Sequence, residues 1–144
     1  MTLSDTGSSL TLRAELPGFK DDDIDVTVHD TTLIISGERK VEVPEPVLRY
    51  AARVVRASDP TAPEAPEVVR RALRYGAGVR GAQSLVLAAK AVALCDGRAN
   101  ASFEDVRRVA KPALRHRLIP NFAGQAEGVD PDQLLAAIVR DVPE

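Results

Sequence analysis

The hydrophobic period of this chain changes near Pro46, and this change constrains the fold more than any other feature. Before it, apolar and polar residues alternate, which is typical of β-strands. After it, apolar residues recur every three or four positions, which predicts helices. We therefore expect a mainly α protein, α+β overall, in which an N-terminal antiparallel β-meander precedes a bundle of four to five helices. The predicted domains are residues 1–43 and 44–144.

The predicted meander has three short strands. They are centred on residues 10–16, 24–28 and 33–35, with a type II turn at Pro17-Gly18 and a frayed segment at residues 1–9. Three short strands with one apolar face are not stable alone. We therefore expect the meander to dock on the helices, to pair with another chain through its open edge, or to stay loosely ordered.

The segment Tyr75–Cys95 organises the helical part. Gly76 and Gly78 precede a run rich in Ala and Leu, which predicts a turn leading into a helix over about 79–95. Apolar residues occur on nearly every face of this helix, so we expect neighbours to surround it. Arg80 lies in the first turn, where the helix dipole disfavours a cation. Since local stability does not account for Arg80, it is the best candidate for a functional residue.

The other helical elements follow from caps, prolines and glycines. Pro112 is expected to kink or break its helix, because it frees a backbone carbonyl one turn earlier. The remaining predictions are helices beginning near Pro46, Glu67, Ser102 and Asp130, a helix stop at Asp96-Gly97-Arg98, an extended piece at 118–122 and a loop at 124–128.

Charge and cysteine content bear on compartment and partners. Residues 1–46 hold 10 Asp/Glu and 4 Lys/Arg (net −6), whereas residues 47–144 hold 11 and 15 (net +4), which suggests two segments of different origin. The lone Cys95 is expected to be a small buried hydrophobe in a reducing, cytoplasmic compartment. Because Lys90 interrupts the longest apolar run, no membrane partner is expected.

Three further groups of residues have a functional and a structural interpretation. Arg107, Arg108, Lys111 and Arg115 share a helical face, but without interleaved aromatic residues a solvated face is favoured over nucleic-acid binding. His116 and His29 have no acid or cysteine cluster beside them, so no metal site is expected. The run at residues 21–23 lacks the spaced oxygen ligands of a calcium loop and is interpreted as a charged turn.

The N-terminal part resembles the first strands of a small heat-shock protein's α-crystallin domain, over residues 10–40. The residues that carry this resemblance are Glu15-Leu16-Pro17-Gly18-Phe19, Asp23-Ile24-Asp25-Val26 and Leu33-Ile34-Ile35-Ser36-Gly37-Glu38-Arg39. The resemblance implies a truncated fragment of that domain, since nothing after Lys40 looks like its later strands.

Residues 46–142 resemble the C-terminal helical lid of a MoxR-type AAA+ ATPase. The matching residues are Tyr75-Gly76-Ala77-Gly78-Val79-Arg80-Gly81-Ala82-Gln83, Leu87-Ala88-Ala89-Lys90-Ala91, Asp96-Gly97-Arg98, Phe103-Glu104-Asp105-Val106, Leu114-Arg115-His116-Arg117-Leu118-Ile119, Asn121-Phe122 and Glu127-Gly128-Val129. The resemblance implies that Arg80 is the second-sensor residue, which reaches the terminal phosphate of ATP from the lid. Val79 stands where that family usually has proline.

The sequence lacks a Gly-rich phosphate loop ending in Gly-Lys-Ser/Thr and an apolar strand ending in acids for magnesium. The favoured hypothesis is therefore a non-catalytic lid module that needs a AAA+ nucleotide-binding core on another chain. It binds no cofactor on its own, and ATP and magnesium are implied by the family alone. The alternatives are a holdase-like binding protein that acts or self-associates through the β-edge, and a designed or accidental fusion with no evolved function.

Overall fold

The computed structural model describes residues 2–16, 19–38 and 40–144. The chain divides into two compact units, Met1–Lys40 and Val41–Glu144. The first unit consists of strands and the second is mainly helical, so the expected α+β class is confirmed.

The first unit contains two antiparallel hairpins. Strand β1 (Thr2–Asp5) pairs with β2 (Leu10–Arg13), and β3 (Ile24–His29) pairs with β4 (Thr32–Gly37). Each hairpin is a separate two-stranded sheet. A short 3₁₀ turn over Asp21–Asp23 precedes β3. The interpretation of this acidic run as a charged turn is therefore confirmed.

The prediction that residues 1–9 are frayed is wrong. The Asp5 carboxylate accepts a hydrogen bond from the backbone N–H of Gly7 at 2.7 Å, and Gly7 has a φ of 79°. A left-handed glycine beside an Asx-type turn allows the chain to reverse, so Thr2–Asp5 pairs with Leu10–Arg13. The strands consequently form two hairpins and not one three-stranded meander. The predicted turn at Pro17-Gly18 lies outside the described residues.

The second unit is a helical bundle with one small β-ribbon. Its helices are α1 (Glu45–Ala57), α2 (Glu67–Ala72), α3 (Gly78–Cys95), α4 (Phe103–Leu114), α5 (Phe122–Ala126) and α6 (Pro131–Asp141). Strands β5 (Leu73–Tyr75) and β6 (Ile119–Pro120) pair antiparallel, and a 3₁₀ turn over Arg115–Arg117 follows α4. The extended piece predicted at 118–122 is therefore confirmed for its central residues.

Several helix ends are as the sequence predicts. The hydroxyl of Ser102 accepts from the backbone N–H of Asp105 at 3.3 Å, and the Asp105 carboxylate accepts from the N–H of Ser102 at 2.8 Å. These two bonds form the expected capping box. Gly97 ends α3 with a φ of 72°, and Asp130 caps α6 just before Pro131.

The core of this unit lies where α3 and α4 pack together and where α1 and α6 close over them. Tyr50 is completely buried at its centre, donates its hydroxyl to the carbonyl of Val139 at 3.1 Å, and meets the ring of Phe103 edge to face at 5.5 Å. The largest fully buried apolar side chains are Tyr50, Leu85, Leu114, Leu135, Ile138, Val54, Val69 and Val106.

The expectation that neighbours surround α3 is wrong. Its buried residues form one stripe, namely Gly81, Leu85, Ala89 and Ala93. Leu87 is 66% exposed on another face, and Cys95, which was expected to be buried, is exposed. Because α1 and α4 contact α3 from one side only, its apolar outer face is left open. By length and composition alone, α3 is also long and apolar enough to cross a membrane. The interruption of its apolar run by Lys90 therefore does not exclude a membrane-crossing helix.

Two local predictions in the second unit are also corrected. Pro112 lies inside α4, which continues to Leu114, so the helix is not broken there. The missing N–H of Pro112 removes one helical hydrogen bond, to the carbonyl of Arg108, and a kink at this point stays a prediction. The segment predicted as a loop from residue 124 begins inside α5, which Asn121 caps by accepting from the N–H of Gly124 at 2.9 Å.

Candidate functional site

The turn that leads into α3 is fixed to the end of α1. A Cβ on Gly76 would lie 2.3 Å from the carbonyl oxygen of Ser58, so only glycine allows this approach. The buried Ser58 hydroxyl accepts from the N–H of Ala77 at 3.0 Å and donates to the carbonyl of Val55 at 2.6 Å. Gly78, with a φ of 65°, then starts the helix. The first turn of α3 therefore begins from a rigid point.

Arg80 lies in that first turn and is exposed. Its backbone carbonyl accepts from the hydroxyl of Ser84 at 2.9 Å. In residues 2–16, 19–38 and 40–144, its guanidinium has no hydrogen-bond or ion-pair partner. A planar, always charged guanidinium in this state is available to bind a carboxylate or phosphate bidentately.

A second arginine, which the sequence analysis did not single out, lies beside the same turn. Arg117 donates from Nη2 to the hydroxyl of Ser84 at 3.2 Å, and its Nε is buried without an acceptor in the described part of the chain. A Cβ on Gly81 would lie 2.8 Å from the Cβ of Ala77, 3.2 Å from Leu114 Cδ2 and 3.5 Å from Arg117 Cδ. In the sequence, Arg117 belongs to the Arg-His-Arg motif and to the lid-like segment Leu114–Ile119, and neither distinguishes it from its neighbours. His116 of the same motif is exposed.

An exposed apolar surface flanks the start of α3. Tyr75, which ends β5, is 58% exposed and pairs with Ile119 of β6. The guanidinium of Arg74 lies 5.2 Å from the centre of the Tyr75 ring. Val79 and Phe122 are 77% and 88% exposed. Several large apolar side chains near one short ribbon are typical of a surface that another protein covers.

The connection between α3 and α4 is held by an ion pair. Arg98 donates to both oxygens of the Asp105 carboxylate, at 2.7 and 2.6 Å, and to Asp96 at 3.0 Å. The Asp105 side chain is only 4% exposed. The bidentate bond from Arg98, with the hydrogen bonds from Ser102, lowers the pKa of Asp105 to about 2. This charged network is structural, because its groups are used in holding the two helices.

The basic residues considered for nucleic-acid contact are largely engaged within the chain. Arg107 bonds Glu144 and Glu104, Arg108 lies 3.7 Å from Asp96, and Arg115 lies 3.3 Å from Asp132. Arg115 is also in the 3₁₀ turn after α4 and not in the helix itself. Among the described residues, no group of three or more His, Cys, Asp or Glu side chains is placed to hold a metal ion.

The first unit presents apolar side chains to solvent. In its described residues, 2–16, 19–38 and 40, none is buried. Val26 and Val28 of β3 are 57% and 69% exposed, and Leu33, Ile34 and Ile35 of β4 are also exposed. Two-stranded sheets leave backbone edges that can pair with another strand.

These features define a small helical domain whose longest helix carries, in its first turn, an exposed arginine without a partner among the described residues. Residues 65–138, just over half of the chain, match the AAA lid domain. The chain belongs to the AAA lid domain family. Residues 3–55 match the Hsp20/alpha crystallin family. The resemblances to a AAA lid and to the Hsp20/alpha crystallin family are thus confirmed. The lid match begins at residue 65 instead of 46, and the Hsp20 match extends to both sides of 10–40.

A search of curated proteins found no match. Among solved structures, the chain is similar to a proposed ATPase from Cytophaga hutchinsonii, with 34% sequence identity and a TM-score of 0.68. The similarity covers 72% of this chain and 32% of that protein. The chain therefore spans about a third of the length of this relative.

Proposed function

We propose that this protein is a lid module of a MoxR-type AAA+ ATPase. In this proposal Arg80 reaches the terminal phosphate of ATP that is held by a nucleotide-binding core on another chain. The observation that carries the proposal is the exposed, unpaired guanidinium of Arg80 on a rigidly fixed turn. That this turn belongs to a AAA lid domain supports it further.

The chemistry required of the lid is electrostatic. In phosphoryl transfer, charge spreads over the oxygens of the transferred group, and a positioned guanidinium stabilises that charge. The core supplies the ATP and magnesium sites, and the lid supplies a single cation. The first turn of α3 suits this role because the Ser58–Ala77 bond fixes its starting point. The arginine then needs little structural reorganisation when the transition state forms.

The exposed apolar residues near this turn suit contact with the core. Tyr75 and Ile119 face outward together on the β5–β6 ribbon. Val79 replaces the proline that is usual in the MoxR family and is also exposed. Covering these side chains would place the partner's surface next to the helix turn that carries Arg80.

The test is to add the full chain to the larger, unmatched part of the Cytophaga relative. That part is first shown to bind a fluorescent ATP analogue, and ATP hydrolysis is then measured with and without this protein. We expect wild type to stimulate hydrolysis. We expect Arg80→Gln to reduce the stimulated rate by roughly 10²–10³-fold, the usual loss for one preorganised stabilising group.

The matched control is Arg53→Gln. Arg53 is also exposed and, among the described residues, also lacks an ion-pair partner, but it lies on α1. It should leave the stimulated rate unchanged. Failure of wild type to stimulate a core that binds nucleotide would overturn the proposal. An equal loss in Arg53→Gln and Arg80→Gln would also overturn it.

A second candidate function is that of a holdase-like binding protein acting through the first unit. The exposed apolar side chains of β3 and β4, next to open strand edges, favour it. The same edges would allow self-association. In this view, wild type suppresses light scattering by a heat-aggregating client enzyme, and Val26→Ser with Val28→Ser abolishes the suppression. Thr27→Ser, between them on the opposite side of the strand, is the control, and no suppression by wild type would exclude this function.

A further inference from the structure

Arg115 and Arg117 are two residues apart in the same 3₁₀ turn, yet they have different surroundings. Arg115 is directed to Asp132 of α6 at 3.3 Å. Arg117 instead contacts the first turns of α3, 33 residues earlier in the chain, through Ser84. This contact links the end of α4 to the helix turn that carries Arg80.

We propose that Arg117 is a positioning residue for Arg80. It holds the first turns of α3 through Ser84, so that the guanidinium of Arg80 is presented in a fixed register. This inference rests on the proposed function, because it assigns Arg117 a part in the same phosphate contact. Arg117 acts here through its hydrogen bond, without touching the phosphate itself.

The hydrogen bonds form a continuous path between the two arginines. Arg117 Nη2 donates to the hydroxyl of Ser84 at 3.2 Å, and that hydroxyl donates to the carbonyl of Arg80 at 2.9 Å. Ser84 lies four residues after Arg80 and therefore on the same face of α3. A change at Arg117 would consequently alter how firmly the Ser84 hydroxyl holds the Arg80 backbone.

Packing keeps Arg117 in this place. The absence of a side chain at Gly81 lets Leu114 and the Arg117 stem approach the helix backbone. The cation is half-buried, and no carboxylate of the described residues lies within 4 Å of it. A half-buried guanidinium whose Nε has no acceptor among the described residues is unfavourable for stability. Stability alone therefore does not account for an arginine here.

Two variants separate geometry from charge. Arg117→Lys keeps the charge but loses the planar fork that places Nη2 on Ser84. Ser84→Ala keeps both arginines and removes the link between them. If Arg117 acts by positioning, both variants should lower the kcat of the stimulated ATP hydrolysis by roughly tenfold, the equivalent of one hydrogen bond. The KM for ATP should stay within about twofold, because the core supplies the ATP site.

Arg115→Gln is the matched control, since it removes an arginine of the same turn that is directed to α6. It should leave kcat unchanged. A second measurement does not need the partner core. The NMR linewidth of the Arg80 Nε–Hε resonance should change in the same direction in Arg117→Lys and in Ser84→Ala. It should not change in Arg115→Gln. Thermal unfolding of each variant shows whether the fold is retained.

The outcomes distinguish this inference from the proposed function. If wild type stimulates hydrolysis and Arg80→Gln abolishes it, but Arg117→Lys and Ser84→Ala behave as wild type, the positioning role is refuted and the lid function stands. If Arg117→Lys retains full activity while Arg117→Gln loses it, charge and not positioning is what Arg117 supplies, which also refutes the inference. If wild type gives no stimulation, the proposed function itself fails.

Discussion

Replacing Ser58 by alanine tests how the Arg80 turn is held. Ser58 is fully buried between the end of α1 and the turn before α3. Its hydroxyl makes two hydrogen bonds, and their loss affects the two partner groups differently. The carbonyl of Val55 also accepts from the backbone N–H of Ser58 at 3.1 Å and so stays paired. The N–H of Ala77 has no other acceptor in the described residues, and Ala77 is only 6% exposed.

The cost of Ser58→Ala is therefore that of one buried, unsatisfied N–H. Such a group costs about 1–3 kcal/mol. For a domain of this size, each kcal/mol lowers the melting temperature by about 4–8 °C. The change in side-chain volume is small, so little of the effect would come from a cavity.

The assay is chemical and thermal unfolding of full-length Ser58→Ala, with amide hydrogen exchange at Ala77. We expect a lower free energy of unfolding than in wild type. We also expect amide exchange to be accelerated at Ala77 more than in the centre of α3. Ser84→Ala is the matched control, because its hydroxyl is partly exposed and water can replace it. An unfolding free energy of Ser58→Ala equal to that of Ser84→Ala, with unchanged exchange at Ala77, would refute the reasoning.

Two further variants test the packing around the site. Asp105→Asn should remove stability that is present above the unfolded-state pKa of about 3.9 and lost as pH falls through about 2. The melting temperatures of wild type and variant, measured from pH 7 to pH 2, should therefore converge at low pH, and a constant difference would contradict the role of the Arg98 ion pair. Gly76→Ala should destabilise by about 1–3 kcal/mol or more, because its Cβ would meet the Ser58 carbonyl. If urea unfolding gave Gly76→Ala the same stability as wild type, the close contact between Gly76 and Ser58 would not hold the turn.

Local signals were sufficient where the physical cause is local. The capping box of Ser102 and Asp105, the left-handed Gly97 and the proline after Asp130 each fix a helix end within a few residues. The start of α3, expected near residue 79, could likewise be anticipated from Gly76 and Gly78.

Features that depend on contacts between distant parts of the chain could not be predicted from local sequence patterns. The sequence of α3 is apolar on nearly all sides, and only the positions of α1 and α4 decide that Leu87 and Cys95 remain exposed. Strand β5 is three residues long and exists because it pairs with β6, more than 40 residues later. Arg117 was missed for the same reason, since its partner Ser84 is 33 residues away.

The expectation that Pro112 kinks or breaks its helix shows a different limit, because α4 is not broken there. Proline removes one backbone donor and crowds the carbonyl one turn earlier. In α4 the carbonyl that loses its donor is that of Arg108, and the helix nevertheless continues two residues past Pro112 to Leu114. The position of a proline relative to the helix end, which sequence predicts poorly, decides its effect.

The proposed lid function requires Arg80 to reach a phosphate held by another chain. The most direct measurement is a structure of full-length protein bound to the nucleotide-binding part of the Cytophaga relative, with a non-hydrolysable ATP analogue. We predict a bidentate contact between the Arg80 guanidinium and oxygens of the terminal phosphate, at about 2.7–2.9 Å. A bound complex in which Arg80 faces solvent, or pairs with a carboxylate of the core away from the nucleotide, would contradict the account.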